Sequence, residues 1–294
     1  MVQKKFEIRK ILIPYDFSET AALSLEHAVF MAKLLKAEII LLHIVETVSF
    51  TSAISHALSG FEKKIENTSK EKLDEIAKEI HNHSGIHLTI LTEVGRIYKK
   101  IVQVAKDIDA DVIIMGTHGV SGYQRFNVGS NTSRVVEASP CPVISVQTHA
   151  KSIGFKKIIL PIDESPTSRQ KVNHVIEMAN HYNSHVFIVG LINFNSEELK
   201  RKFRIKVEQV EEFLSKFDIS HESKFVKGDN LAKMTMSVAE EMDADLVVIM
   251  TEQEPSITGF FMGTYASQVV NHSKIPVMSV RPAEIDPDKI TVSF

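Results

Sequence analysis

The chain carries an internal repeat, and no other feature limits its fold as strongly, because a duplicated unit must fold twice and then accommodate itself. Ile11-Leu-Ile-Pro-Tyr-Asp16 returns as Ile158-Ile-Leu-Pro-Ile-Asp163, and Ala110-Asp-Val-Ile-Ile-Met115 as Ala244-Asp-Leu-Val-Val-Ile249. Pro142-Val-Ile-Ser-Val146 returns as Pro276-Val-Met-Ser-Val280. The last two pairs share an offset of 134 residues, whereas the first pair is offset by 147. The second copy is therefore shorter in its middle, and the surplus of the first falls around Thr47 to Gly60. A length of 294 residues fits two domains, at roughly 150 residues each. The expected division is 1–149 and 150–294.

Within each copy, short apolar runs alternate with amphipathic stretches. In the first, Lys10–Pro14, Glu38–Ile44, His87–Glu93, Val112–Met115 and Val143–Gln147 are rich in Ile, Val and Leu. Their near-continuous apolarity predicts strands buried on both faces, as in a parallel sheet. Ala22, Leu25, Ala28, Val29 and Ala32 share one helical face, and Leu73, Ile76, Ala77 and Ile80 another. Ser18 is placed to cap the first helix, and Ser165 with Pro166 predicts a cap and first helical residue in the second copy. The pattern predicts an α/β chain of two tandem doubly wound α/β sandwich domains. Gln147 to Lys157 reads as a linker, and Ile290–Phe294 as an added edge strand.

Composition excludes several classes. Lys and Arg number 34 against 37 Asp and Glu, so no broad positive field draws nucleic acid or anionic membrane. No apolar run approaches the roughly 20 residues of a membrane span, and the charged Met1 to Lys10 lacks the form of a signal peptide. The single cysteine, Cys141, forms no internal disulfide and no CxxC metal site. A cytoplasmic setting is expected.

Most of the chemistry lies in Gly116-Thr-His-Gly119 and the following stretch to Gly129-Ser130. This segment leaves a buried strand and enters a helix read as Thr132–Ala138. In open α/β sheets, ligands bind beyond the carboxyl ends of the strands, where such a loop lies. Glycines let backbone N–H groups approach phosphate oxygens, and the helix N-terminus at Gly129-Ser130 favours an anion. Glycines alone read equally well as turn formers. The spacing is neither the GxxxxGK of a P-loop nor the GxGxxG of a dinucleotide site. Asp16, at the end of the first strand, could accept bonds from a sugar hydroxyl or base amine; its simpler reading is a helix-entry residue.

The Gly-x-x-Gly-x9-Gly run followed by Ser130, the Pro-x-Asp after strand one, Leu41-Leu-His-Ile44 on strand two, and Pro140-Cys-Pro-Val143 before strand five together resemble the universal stress protein family. The resemblance covers 7–147 and again 155–281. It implies a five-stranded parallel sheet in each domain, ordered 3-2-1-4-5, and, in the family's ATP-binding branch, a nucleotide across the strand ends. It would put Asp16 and the Ile44 backbone near adenine and ribose. Gly116 and Gly119 would line the ribose and phosphate path, and Gly129 with Ser130 would hold the phosphates, with Asn131 beside them; His118 stands at the ligand edge or, in its simpler reading, stabilises the turn. A divalent ion such as Mg2+ would accompany them. It also implies that Val143–Val146 and Val277–Val280 pair as a pseudo-dimer within the chain, with homodimers and an unidentified protein partner as further contacts.

The second copy departs from this motif. Met250 and Gln253 replace Gly116 and Gly119, Glu252 and Glu254 add negative charge, and Gly263-Thr264 keeps only the helix-terminal half. Its site reads as degenerate, although another ligand is not excluded by the sequence. No metal site is expected: His81, His83 and His87, and His181 with His185, lack a completing ligand set. No catalytic residue is assigned either. There is no GxSxG, and Cys141 between prolines reads as an inert thiol. Only Asp16 and His118 could orient a water, so any hydrolase would be slow. The expected function is an ATP-binding, nucleotide-responsive stress regulator using its N-terminal domain. A slow ATP hydrolase and a nucleotide-independent scaffold or chaperone-like module are the alternatives.

Overall fold

The computed structural model describes residues 6–46, 52–117, 130–148, 153–251, 253–256 and 259–283, with backbone alone at 52–65 and 253–261. The first half runs β1 (Lys10–Pro14), α1 (Glu19–Leu35), β2 (Glu38–Val45), α2 (Ser52–Ser84), β3 (Leu88–Val94), α3 (Ile97–Asp107), β4 (Val112–Gly116), α4 (Ser130–Ala138) and β5 (Val143–Val146). The second runs β6 (Lys157–Ile162), α5 (Val172–Tyr182), β7 (His185–Ile192), α6 (Glu197–Ser215), β8 (His221–Lys227), α7 (Leu231–Glu241) and β9 (Leu246–Met250). It then adds β10 (Gln253–Ser256) and β11 (Gly259–Met262) before α8 (Thr264–His272) and β12 (Val277–Val280).

Ten strands form one sheet in the order β3-β2-β1-β4-β5-β12-β9-β6-β7-β8. Each half is parallel and keeps the order 3-2-1-4-5. The halves meet where β5 and β12 pair antiparallel, with Ile144 opposite Met278. The two short strands thus give each other the partner that an apolar edge lacks. The surplus of the first copy is helical: α2 has 33 residues and α6 has 19.

The sheet is covered on both faces. On the face carrying α1, α2, α5 and α6, one buried cluster runs unbroken through both halves, from Ile13 and Ala28 to Phe155, Val175 and Val210. On the other face there are two clusters, one per half, under α3 and α4 and under α7 and α8. Among the described residues no helix is long and apolar enough to cross a membrane.

Two expectations need correction. The segment after Ser165 does not start a helix. Gln170, Val172 and His174 donate to the carbonyls three residues before them, a chain of tight turns, and α5 begins only at Val172. The presumed linker is partly core: Phe155 is fully buried and stacks 5.4 Å from His27, so the junction is packed between α1 and α5. The stretch after β9, to which the sequence assigned no element, contains an antiparallel hairpin of β10 and β11. The strand expected at Ile290–Phe294 lies outside the described residues.

Candidate functional site

Local sequence builds the carboxyl end of β1 tightly. Ser18 caps α1, its hydroxyl accepting from the Ala21 amide at 3.2 Å, while Asp16 Oδ1 accepts from the Ser18 amide at 3.0 Å. Asp16 therefore does hold the helix entry, as its simpler reading has it. Its carboxylate also lines a cavity of about 370 Å³ over the ends of β1 and β4. Such a volume lies within the range for small-molecule pockets.

The cavity has an apolar side and a polar end. Ile44 and Leu42 from β2, Ile97 and Ile101 from α3, and Met115 from β4 supply the apolar surface. Asp16, Ser18 and Glu46 stand at one side, and Ser130, Asn131 and Thr132 bring the first turn of α4 to another. Amides in a first helical turn have no acceptor within the helix and face outward with the positive end of its dipole. Thr132 fixes that turn to the sheet, its hydroxyl donating to the Gly116 carbonyl at 2.9 Å. Among the described lining residues there is no lysine or arginine, while two carboxylates are present.

Of the residues singled out in the sequence, Asp16, Ile44, Gly116, Ser130 and Asn131 all line this one cavity. His118, Gly119 and Gly129 lie outside the described residues. Gly116 has a structural reason of its own. A Cβ there would meet Thr20 Oγ1 at 2.6 Å and Thr20 Cβ at 2.7 Å, so the glycine lets α1 cross close to β4. Glu46 lines the cavity although nothing in the motif marked it. Its signal was its place just past the end of β2, beside Ile44. His43 points elsewhere, its Nδ1 bonded to the Tyr15 carbonyl at 2.8 Å.

The corresponding strand ends of the second half are built differently. Met250, in the place of Gly116, is buried in the same cluster as Val172 and Val175. Lys206 of α6 reaches over the end of β6, its Nζ donating to the carbonyls of Glu164 at 2.9 Å and of Asp163 and Ser165 at 3.4 Å. Burial and the nearby Arg169 lower the Lys206 pKa from its ordinary value. Nothing in the repeat's motif flagged Lys206, because it comes from a helix whose length differs between the copies.

Cys141 does not have the character of a nucleophile. Burial pushes its thiol up to about 11, a shift only partly offset by the Ser139 hydroxyl. Among the described residues, no three His, Cys, Asp or Glu side chains converge on a metal-sized site.

The model of the universal stress protein family matches this chain twice, at residues 7–147 and 154–281. A universal stress protein of Methanocaldococcus jannaschii is 31% identical over 154 residues, covering 47% of this chain and 94% of its own length. One from Bacillus subtilis is 31% identical over 145 residues, covering 47% of this chain and 98% of its own. The crystal structure of a universal stress protein from Archaeoglobus fulgidus superposes with a TM-score of 0.74 at 19% identity, over 93% of this chain and 98% of that one. That likeness is one of fold and extends through both halves.

Proposed function

This chain belongs to the universal stress protein family, with two copies of its domain in tandem, and on that premise we propose that it binds one ATP, in the first half, and acts as a nucleotide-responsive regulator. The observation that carries this reading is the convergence of Asp16, Ile44, Gly116, Ser130 and Asn131 on one cavity at the strand ends. The apolar surface between β2 and α3 suits the base, Asp16 suits a ribose hydroxyl, and the first turn of α4 suits phosphate oxygens. The lining has carboxylates at Asp16 and Glu46, hard oxygen donors of the kind that accept Mg2+. A divalent ion arriving with the nucleotide would balance charge that the described lining does not balance itself.

The unit 1–149 is accordingly the nucleotide domain and 150–294 its non-binding partner. The buried Met250 and the Lys206 contacts support that asymmetry. Together, Gly119→Val and Ser130→Ala should weaken ATP binding at least tenfold, the scale of losing a charge-assisted hydrogen bond. Calorimetric titration of nucleotide-stripped, Mg2+-supplemented protein reads this directly, with AMP for comparison. Unchanged ATP affinity in the folded double variant sinks the proposal.

A further inference from the structure

The second half touches the proposed nucleotide site from behind. Helix α4, whose first turn lines the cavity, has nine residues, too few to be stable without tertiary support. Its far end is held by residues of the other copy. The amide of Met262, at the end of the β10–β11 hairpin, lies 3.4 Å from Glu137 Oε1 and donates to it. The Met262 side chain packs against the core under α3 and α4 and also against the core under α7 and α8, joining two clusters that are otherwise separate. Beyond β12, Arg281 Nη1 donates to the carbonyl of Ser139, the residue that follows α4, at 3.1 Å.

Among the described residues the Arg281 contact is one-sided. The repeat offset places Gln147 opposite Arg281 and Ser273 opposite Ser139. Gln147 is buried, yet neither its amide nitrogen nor its amide oxygen has a hydrogen-bond partner. The second copy holds the helix of the first, and the mirror-related Arg281 contact is not made in return.

We infer that Arg281 and Met262 are positioning residues for the first-half site: the second copy braces the carboxyl end of α4 and thereby sets the affinity at its amino end. This rests on the nucleotide reading of the cavity and assigns its regulation to the neighbouring copy. The altered loop of the second copy then has a role, since the segment that would have cradled its own ligand reaches across to its neighbour. Any partner that displaces the hairpin weakens nucleotide binding, and by linkage bound nucleotide tightens the hairpin contact.

Hydrogen exchange and ATP titration of the full chain test this with Arg281→Met, Arg281→Lys and the mirror control Gln147→Ala. Arg281 lies at the surface, so its replacement leaves the core intact. Arg281→Met should speed amide exchange through α4 without ligand and weaken ATP by roughly fivefold or more. Arg281→Lys, which keeps a donor, should recover most of both, and Gln147→Ala should change neither. Nucleotide should slow exchange at Gly259–Met262 in the parent chain. Normal ATP binding with unchanged α4 exchange in Arg281→Met overturns the brace alone. A parent chain that takes up no ATP overturns the reading of the cavity and the coupling with it, whatever α4 exchange shows.

Discussion

Gly116 shows how one position serves two ends. It lines the cavity, but its lack of a side chain is required by Thr20 on α1 whether or not a ligand is present. Gly116→Ala should therefore cost about 1–3 kcal/mol, the usual range for forced overpacking, seen as a lower denaturant midpoint of the ligand-free protein. A stability equal to that of the parent would mean that α1 yields freely. His27 gives the second residue-scale prediction. On α1 and stacked against Phe155, it is 1% exposed with neither ring nitrogen bonded, and burial lowers its pKa to about 4 despite a nearby Asp245. The unfolded chain takes up a proton near pH 6.5 and the folded chain does not until about pH 4. Stability is thus fully present above pH 6.5 and is lost as pH falls toward 4, by about 3 kcal/mol for this one group. His174, also held low by burial, adds in the same direction. His27→Leu should flatten the acid limb of melting temperature against pH; an unchanged limb would show that other groups carry it.

At the scale of elements, α4 joins the proposed phosphate contacts to the second copy, and it shows what a sequence reveals and what it hides. The sequence placed it at Thr132–Ala138, entered from Gly129-Ser130 and ended before Pro140, and the structure starts it two residues earlier, at Ser130. The strands were legible because Ile11–Ile13 and Val112–Ile114 are buried on both faces, and continuous apolarity is how such strands read. The start of α5 was not legible. Ser165-Pro166 has the form of a cap, but Ser168 Oγ accepts from the Asp163 amide at 2.9 Å and the chain turns there instead. The hairpin was hidden too, because Gln253–Ser256 is polar and contains a proline, which does not read as a strand. Ser130→Ala alone should weaken ATP several-fold while leaving the melting temperature of the free protein within about 2 °C, since the residue is exposed. A large loss of stability would instead make Ser130 a structural residue.

At the scale of the molecule, the two copies share a core and a sheet. The cluster under α1 and α5 is continuous, and Phe155, at the start of the second copy, is fully buried within it. The chain should therefore unfold in one cooperative transition, with calorimetric and van't Hoff enthalpies equal. Phe155→Ala should destabilise the whole by about 3–5 kcal/mol. Two separate transitions would show instead that the halves fold independently. That shared core was not visible in the sequence, where Gln147 to Lys157 has the polarity of a linker and Phe155 stands alone. The site's apolar and acidic sides were legible through Ile44 and Asp16, whereas Glu46, Lys206 and Arg281 come from segments that the repeat's motif does not cover.

The unequal use of two similar halves is the central claim, and stoichiometry tests it most directly. Titration of the nucleotide-stripped, Mg2+-supplemented chain with ATP should saturate at one nucleotide per chain and lose that site in Asp16→Ala with Ser130→Ala. Two sites per chain would mean that Met250 and Lys206 do not close the second half, and no saturable site would leave the cavity at β1 and β4 without its proposed ligand.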